Sequence, residues 1–445
     1  MTAEIAILNK SAIAIAADSA VTISAGDSQE KIFDSADKLF ELSDHDPIGI
    51  MIYNSMDFMG TPLGVLVKDF RVNCISFSSV RDAGEAFLAY LQKEGEAAPA
   101  SIKRAALVSV IRPQLEFFVQ EATDKFLAQL RKGENLGDPA GFFDDTVSES
   151  LADAIKRLEG RQAASFIGKA PSKIRLDKAS KELVGQLSAE LLPSVSEGIL
   201  NLIEKYVTLS IRQNIFSEGK TGIVVFGFGS EERFPSLVWY ETDGLLCGHL
   251  KYRESALIDI DRQGRRAAVL PFAQKDMIER FLYGLDEGIE HGIKQFCKQS
   301  VPEIADSLLE RVEFENEGAE GDLRNQARNA EQVFLNELDQ SALEKIRQSS
   351  RTEIEDMVEF MPKPEMAKMA EALIDLTSIK RRVTRGMETV GGPVDVAVIS
   401  RSEGFVWVKR KHYFPAELNQ RFYQRMQKHI QSKSNGMMET ENDEK

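Results

Sequence analysis

The opening stretch MTAEIAILNKSAIAIAADS (1–19) constrains this chain more than any other part of it. Chain termini fray unless something ties them down, yet here an apolar run begins at residue 3. Two runs, 3–8 and 12–17, are separated by Asn9-Lys10-Ser11 and predict a tight β-hairpin. A turn centred on Lys10 sets Thr2 across from Asp18, and antiparallel partners lie about 4.5–5.5 Å apart. Threonine is small enough for a methionine aminopeptidase to remove Met1, which would leave a hydroxyl and a free α-amine on one residue. Such an amine titrates near about 7.7–8.0 when unperturbed, so part of it is neutral at ordinary pH. The pair is a nucleophile carrying its own base. A neighbouring lysine would depress the amine pKa, and an aspartate would hold that lysine. An aspartate closing a β-run is also an ordinary turn residue, so spacing alone leaves a structural role open.

Further along, KLFEL (38–42) and PIGIMIY (47–53) read as strands, so the first fifty residues predict four strands in succession. A helical pattern starts at Gly60. Residues 93–215 read as almost pure helix, with Leu107, Ile111, Leu115, Phe118 and Ala122 near the 3.6 period and Pro113 as a kink. Strand signals return at 221–229, 236–242 and 267–273, helices over 275–299 and 364–385, and strands at 393–400 and 404–410. Segregated runs of this kind predict an α+β fold, two antiparallel sheets with helices packed outside. The domain reading is a core in three parts, 2–92, 216–299 and 361–415. It is interrupted by a helical insertion at 93–215 and a charged helical insertion at 300–360, and a disordered polar tail follows at 430–445.

Composition excludes several function classes. Three scattered cysteines and five histidines show no disulfide or metal-ligand spacing, and Asp44-His45-Asp46 reads as a solvated loop between strands. A net charge of −15 argues against nonspecific nucleic-acid binding, which needs cations to neutralise phosphates. No apolar run is long enough to span a bilayer and no signal peptide is evident, which predicts a cytoplasmic protein without a membrane partner. GFGS (227–230) lacks the lysine and helix of a phosphate loop and reads as a strand end, while Trp239 and Trp407 read as core.

Three segments, in order, resemble the proteasome β-type subunits and their bacterial ring-protease relatives. They are Thr2 followed by AADS, DKLFEL and GIMIY; then TGIVVFGFGSEERFPSLVWYETDG; and ALIDLTSIKRRVTRGMETVGGPVDVAVISRSEG, together about 1–90, 216–290 and 364–410. The resemblance implies a four-layer αββα sandwich of the N-terminal-nucleophile hydrolase type with large helical insertions. It implies Thr2 as nucleophile, Asp18 and Lys38 as its charged partners, and a backbone N–H at Tyr53 or Asn54 as oxyanion donor. Lys31 fits the lysine position less well than Lys38. No metal or organic cofactor is implied. A peptide or protein substrate and ring-like homo-oligomers are.

The pattern also departs from the family. The serine that supports the amine is missing from the matching stretch VLPFAQKD, and the aspartate expected ahead of Val390-Gly391-Gly392 is replaced by Met387, with Glu388 one residue away as a possible support. Two readings therefore stand. One is a threonine-type peptidase or amidohydrolase. The other is a weak or inactive scaffold of the same fold that uses its helical insertion as a binding surface.

Overall fold

The structure, a computed structural model, describes residues 2–24, 30–131, 139–192, 196–261, 264–312, 317–384, 390–421 and 423–424. Strands β1 (Ala3–Asn9) and β2 (Ile13–Ala17) form the opening hairpin. They are followed by β3 (Val21–Ser24), β4 (Glu30–Phe33), β5 (Leu39–Glu41), β6 (Ile48–Asn54), β7 (Asp57–Phe58) and β8 (Thr61–Pro62). Then come α1 (Leu63–Asn73), α2 (Val80–Ala97), α3 (Ala100–Arg131), α4 (Pro139–Glu159), β9 (Ser165–Phe166), α5 (Lys178–Leu191) and α6 (Glu197–Arg212). The second half holds β10 (Thr221–Gly227), β11 (Ser236–Leu246), β12 (His249–Asp259), β13 (Ala267–Ala273), α7 (Asp276–Tyr283), α8 (Glu287–Leu309) and α9 (Glu317–Glu337). A π-helical segment, Leu338–Leu343, leads into α10 (Glu344–Glu359), and α11 (Lys363–Val383), β14 (Asp395–Ser400) and β15 (Gly404–Lys409) complete the fold.

The strands make two main antiparallel sheets, ordered β13-β1-β2-β14-β15 and β5-β6-β10-β11-β12-β9. Side chains alternate across each strand, and both faces are used. Ala6, Leu8, Ile13 and Ile15 of the first sheet pack with Met51, Val224, Phe226 and Leu237 of the second. On its other face the first sheet presents Ala3, Ile5, Ile7, Ala14 and Ala16 to Ala367, Ala370 and Ile374 of α11 and to Ile278 and Leu282 of α7. The second sheet turns Ile50, Ile52, Ile223, Val225 and Val238 toward Leu63 and Val67 of α1 and Phe87, Leu88 and Leu91 of α2. Every residue of β1 and β2 is buried, which explains why their apolar run is continuous rather than alternating. The alanines there let α11 lie close on the strands.

The helical segment builds a core of its own from Leu107, Ile111 and Leu115 of α3, Leu151 of α4, Val184 of α5 and Ile203 and Val207 of α6. It begins at Ala100 rather than 93, because α2 runs to Ala97 with Leu91 and Gly95 still buried on the second sheet. It is not pure helix, since β9 pairs with β12 at the edge of that sheet. Pro113 lies inside the continuous helix α3.

Two further strand signals were not legible. Strand β12 (HLKYRESALID) is rich in charge, and it forms because a tight turn at Cys247 and Gly248, with φ of 51° and 80°, folds it back on β11. The pair β3–β4 makes six strands, not four, before residue 55. Asp46 also departs from expectation. It is buried and accepts from Ser76 Oγ (2.9 Å) and Phe77 N (2.7 Å), so only part of its loop is solvated. The tail at 430–445 lies outside the described residues.

Candidate active site

The register of the first hairpin differs by one residue from the expected one. Glu4 pairs with Ala17 and Leu8 with Ile13, so Ala3, not Thr2, stands across from Asp18. The reason is the turn. Asn9 Oδ1 accepts from Ser11 N (2.9 Å) and Ser11 Oγ (2.7 Å), and Asn9 N donates to Ala12 O, which centres the turn between Lys10 and Ser11. Asp18 still ends at the start of β1, because its Oδ1 accepts from Ala3 N (3.1 Å).

Asp18, Lys38 and Glu4 form a cluster closed to solvent. The Lys38 ammonium donates to Asp18 Oδ1, and Asp18 Oδ2 accepts from Gly391 N (3.1 Å) in the turn before β14. Glu4 Oε1 is 3.6 Å from Lys38 Nζ. Thr2 and Glu4 project from the same face of β1 by alternation, and Glu4 is a functional candidate that the motif comparison did not single out. The signal was present: a lone acid inside TAEIAIL, a strand buried along its whole length. Burial pushes the Glu4 carboxyl up to about 8. Lys38 lowers it, Asp18 raises it further, and the nearby Thr2 hydroxyl lowers it.

Thr2 lies on the wall of a cleft of about 730 Å³. Its carbonyl accepts from Gln274 N (3.0 Å), and Ala273, Gln274 and Lys275, the stretch that lacks the expected serine, lie beside it in the cleft lining. Ala273 adopts φ 57°, an uncommon conformation for a residue with a Cβ, where the strand turns away next to Thr2. Met387 and Glu388 lie outside the described residues.

Tyr53 and Asn54 also line the cleft. Ile52 N donates to Lys38 O, so strand alternation aims the Asn54 N–H to that same side, past the start of β5, and the Tyr53 N–H toward β10. Asn54 takes the left-handed conformation, φ 67°, which asparagine tolerates better than most residues. Of the two candidate donors, Asn54 has the freer geometry.

The remainder of the cleft is a charged and aromatic wall. Tyr53 Oη donates to Glu241 Oε1 (3.1 Å) and accepts from Trp239 Nε1 (2.7 Å), which places Trp239 at the cleft wall rather than wholly in the core. Burial and the adjacent Glu241 charge drive the Tyr53 hydroxyl pKa far up, so it stays a neutral donor. Burial raises the Glu241 carboxyl, but hydrogen bonds from Lys220 and Arg253 outweigh it and hold it below the usual range. Gln162, after α4, and Asn214, after α6, reach the same cleft, so the helical insertion supplies part of its rim.

The Tyr53 ring lies directly over Gly222 on β10, where a Cβ would fall 1.9 Å from two ring carbons. Gly222→Ala must displace the ring from Glu241 and Trp239. The expected result is a loss of about 1–3 kcal/mol in a guanidinium titration, accompanied by a shift in tryptophan fluorescence.

Among the described residues no group of histidines, cysteines or carboxylates could hold a metal ion, and no helix is long and apolar enough to cross a membrane. No family model matches the chain, and neither does any curated protein. The residues themselves therefore carry the functional argument.

Proposed function

We propose that the protein is an N-terminal-threonine hydrolase of amide bonds with the four-layer αββα architecture of N-terminal-nucleophile hydrolases. The observation that carries the reading is the position of Thr2, in the wall of a cleft with the buried Asp18–Lys38 pair behind it. A buried ion pair of this kind is costly to desolvate and gives weak stability for that cost, which is easier to understand if it serves the site.

After Met1 is removed, Thr2 Oγ1 attacks the substrate carbonyl and the Thr2 α-amine takes its proton. Lys38 disfavours protonation of that amine and so keeps it basic in its neutral form, and Asp18 holds Lys38. The Asn54 N–H stabilises the developing oxyanion. The proton then passes to the leaving amine, and water releases the acyl group from Thr2. A peptide fits the mixed aromatic and polar cleft, and the insertion rim at Gln162 and Asn214 limits how a chain can enter it. A ring-like homo-oligomer and a cytoplasmic setting belong to the same reading.

A second reading, a scaffold of the same fold without turnover, is favoured by one observation. The segment beside Thr2, Ala273-Gln274-Lys275, offers no hydroxyl to support the amine.

Intact mass spectrometry before and after exposure to a β-lactone decides between them. Attack by Thr2 Oγ1 forms an ester, breaks the ring C–O bond and returns the proton to the new alcohol, so the whole lactone mass is added. A protein lacking Met1 that gains one lactone, mapped to Thr2, supports the hydrolase. Met1 retained, or Met1 lost with no adduct, supports the scaffold.

A further inference from the structure

Glu4 plays no part in the arrangement proposed above, yet it is fully buried two residues from Thr2 on the same strand face. Its nearest cation, Lys38, is 3.6 Å away and already donates to Asp18. Among the described residues neither Glu4 oxygen makes a hydrogen bond of ordinary length and angle, and nor does the Thr2 hydroxyl. The charged and titratable groups that face Glu4 are Asp18 after β2, Lys38 before β5, and the Tyr53 hydroxyl on β6, which is itself bonded to Glu241 on β11. The residues paired with it, Ala17 on β2 and Phe272 on β13, carry no charge.

Two carboxylates and one ammonium closed to solvent leave one excess negative charge, which a proton removes at least cost. Asp18 accepts from Ala3 N, Gly391 N and Lys38. Glu4, with Lys38 at 3.6 Å and no comparable set of donors, is left to take the proton.

We propose that Glu4, as a neutral carboxyl, is a positioning residue for Thr2. It orients the Thr2 hydroxyl and leaves the Lys38 charge uncancelled toward the Thr2 amine, and its ionisation turns the site off at alkaline pH. This rests on the reading of Thr2 as nucleophile. Ionised, Glu4 would neutralise Lys38, raise the amine's affinity for a proton and oppose negative charge developing on Thr2 Oγ1.

The test is the rate of Thr2 acylation by a β-lactone, corrected for lactone hydrolysis and read by intact mass from about pH 6 to about pH 10. The rate for the native protein is expected to fall about fivefold or more as pH passes about 8. Glu4→Gln, which cannot ionise, loses that fall. Glu4→Leu, which cannot bond the hydroxyl, is slower by about tenfold or more at every pH.

Unfolding by urea across the same pH range gives a readout independent of the nucleophile. The folded protein keeps the Glu4 proton up to about 8 while the unfolded chain releases it near the ordinary value of 4.5. The contribution of Glu4 to native stability is therefore greatest below that ordinary value, falls as pH rises toward 8 and levels beyond it, and the difference between the native and Glu4→Gln profiles isolates it. Superimposable native and Glu4→Gln profiles in both measurements overturn the role of Glu4 while leaving Thr2 as nucleophile. A native protein with no adduct at any pH overturns both the nucleophile and the positioning role, whatever the unfolding slope.

Discussion

Thr2→Ala is expected to abolish the β-lactone adduct and to lower hydrolysis of any amide substrate by at least about a thousandfold, the scale on which loss of a nucleophile acts. The fold should survive the change. Thr2 precedes β1, its backbone carbonyl rather than its side chain bonds Gln274, and its hydroxyl makes no hydrogen bond of ordinary length and angle among the described residues. Thr2→Ala removes the hydroxyl and a methyl group and leaves the buried Glu4 carboxyl without the partner proposed for it, so the stability loss should stay within about 3 kcal/mol. Thr2→Ser should retain the adduct, because the hydroxyl and amine persist. Equal hydrolysis by native and Thr2→Ala protein would assign the activity elsewhere in the cleft.

The second large effect concerns Lys38. Lys38→Met preserves the shape of the side chain and removes the only cation paired with Asp18 and Glu4 among the described residues. Breaking a buried pair by deleting one partner costs about 3–5 kcal/mol, because the other charge stays behind in low dielectric. The guanidinium midpoint should fall accordingly, and acylation of Thr2 should drop below detection. Adding Asp18→Asn should restore part of the stability, since the stranded charge then disappears, but none of the acylation. This cycle separates the structural cost of the cluster from its chemical role. Full additivity of the two changes would mean that the pair is not coupled, against the hydrogen bond that joins it.

Much of the sheet framework was legible, because hydrophobic periodicity reports local geometry. The runs at 3–8, 12–17, 47–53, 221–229, 267–273 and 393–400 all overlap strands, and each is buried between layers. Strand β12 was not legible. Its charged residues are satisfied by partners far away in sequence, such as Arg253 with Glu241 and Lys251 with Asp243, and no window of neighbouring residues contains that information. Residues 93–215 were read as one helical block for a similar reason. Two residues at β9 carry no period, and only the edge of β12 makes them a strand.

The candidate site divides in the same way. Thr2 and Asp18 could be named from hairpin spacing and Lys38 from the family resemblance, and the structure brings Asp18 and Lys38 into direct contact. The one-residue slip in register did not separate Asp18 from β1, because a carboxylate just past a strand end can reach the first backbone N–H of its neighbour. Asn54 and Tyr53 were a single ambiguous position in the sequence. Strand alternation, anchored by the hydrogen bond from Ile52 N to Lys38 O, separates them.

What the sequence determined by itself was that its strongest apolar runs are strands, and that residues 3–8 are one of them. Those facts follow from apolar content and spacing, which act over a few residues. The tertiary structure alone decided that Glu4, Asp18 and Lys38 share one enclosure beside Thr2, and that Gln162, Asn214, Trp239 and Glu241 face the same cleft. The physical reason is that burial and charge pairing depend on distances through space. Glu4 is an ordinary acid in its strand until Lys38 and Asp18, from two other segments, close around it.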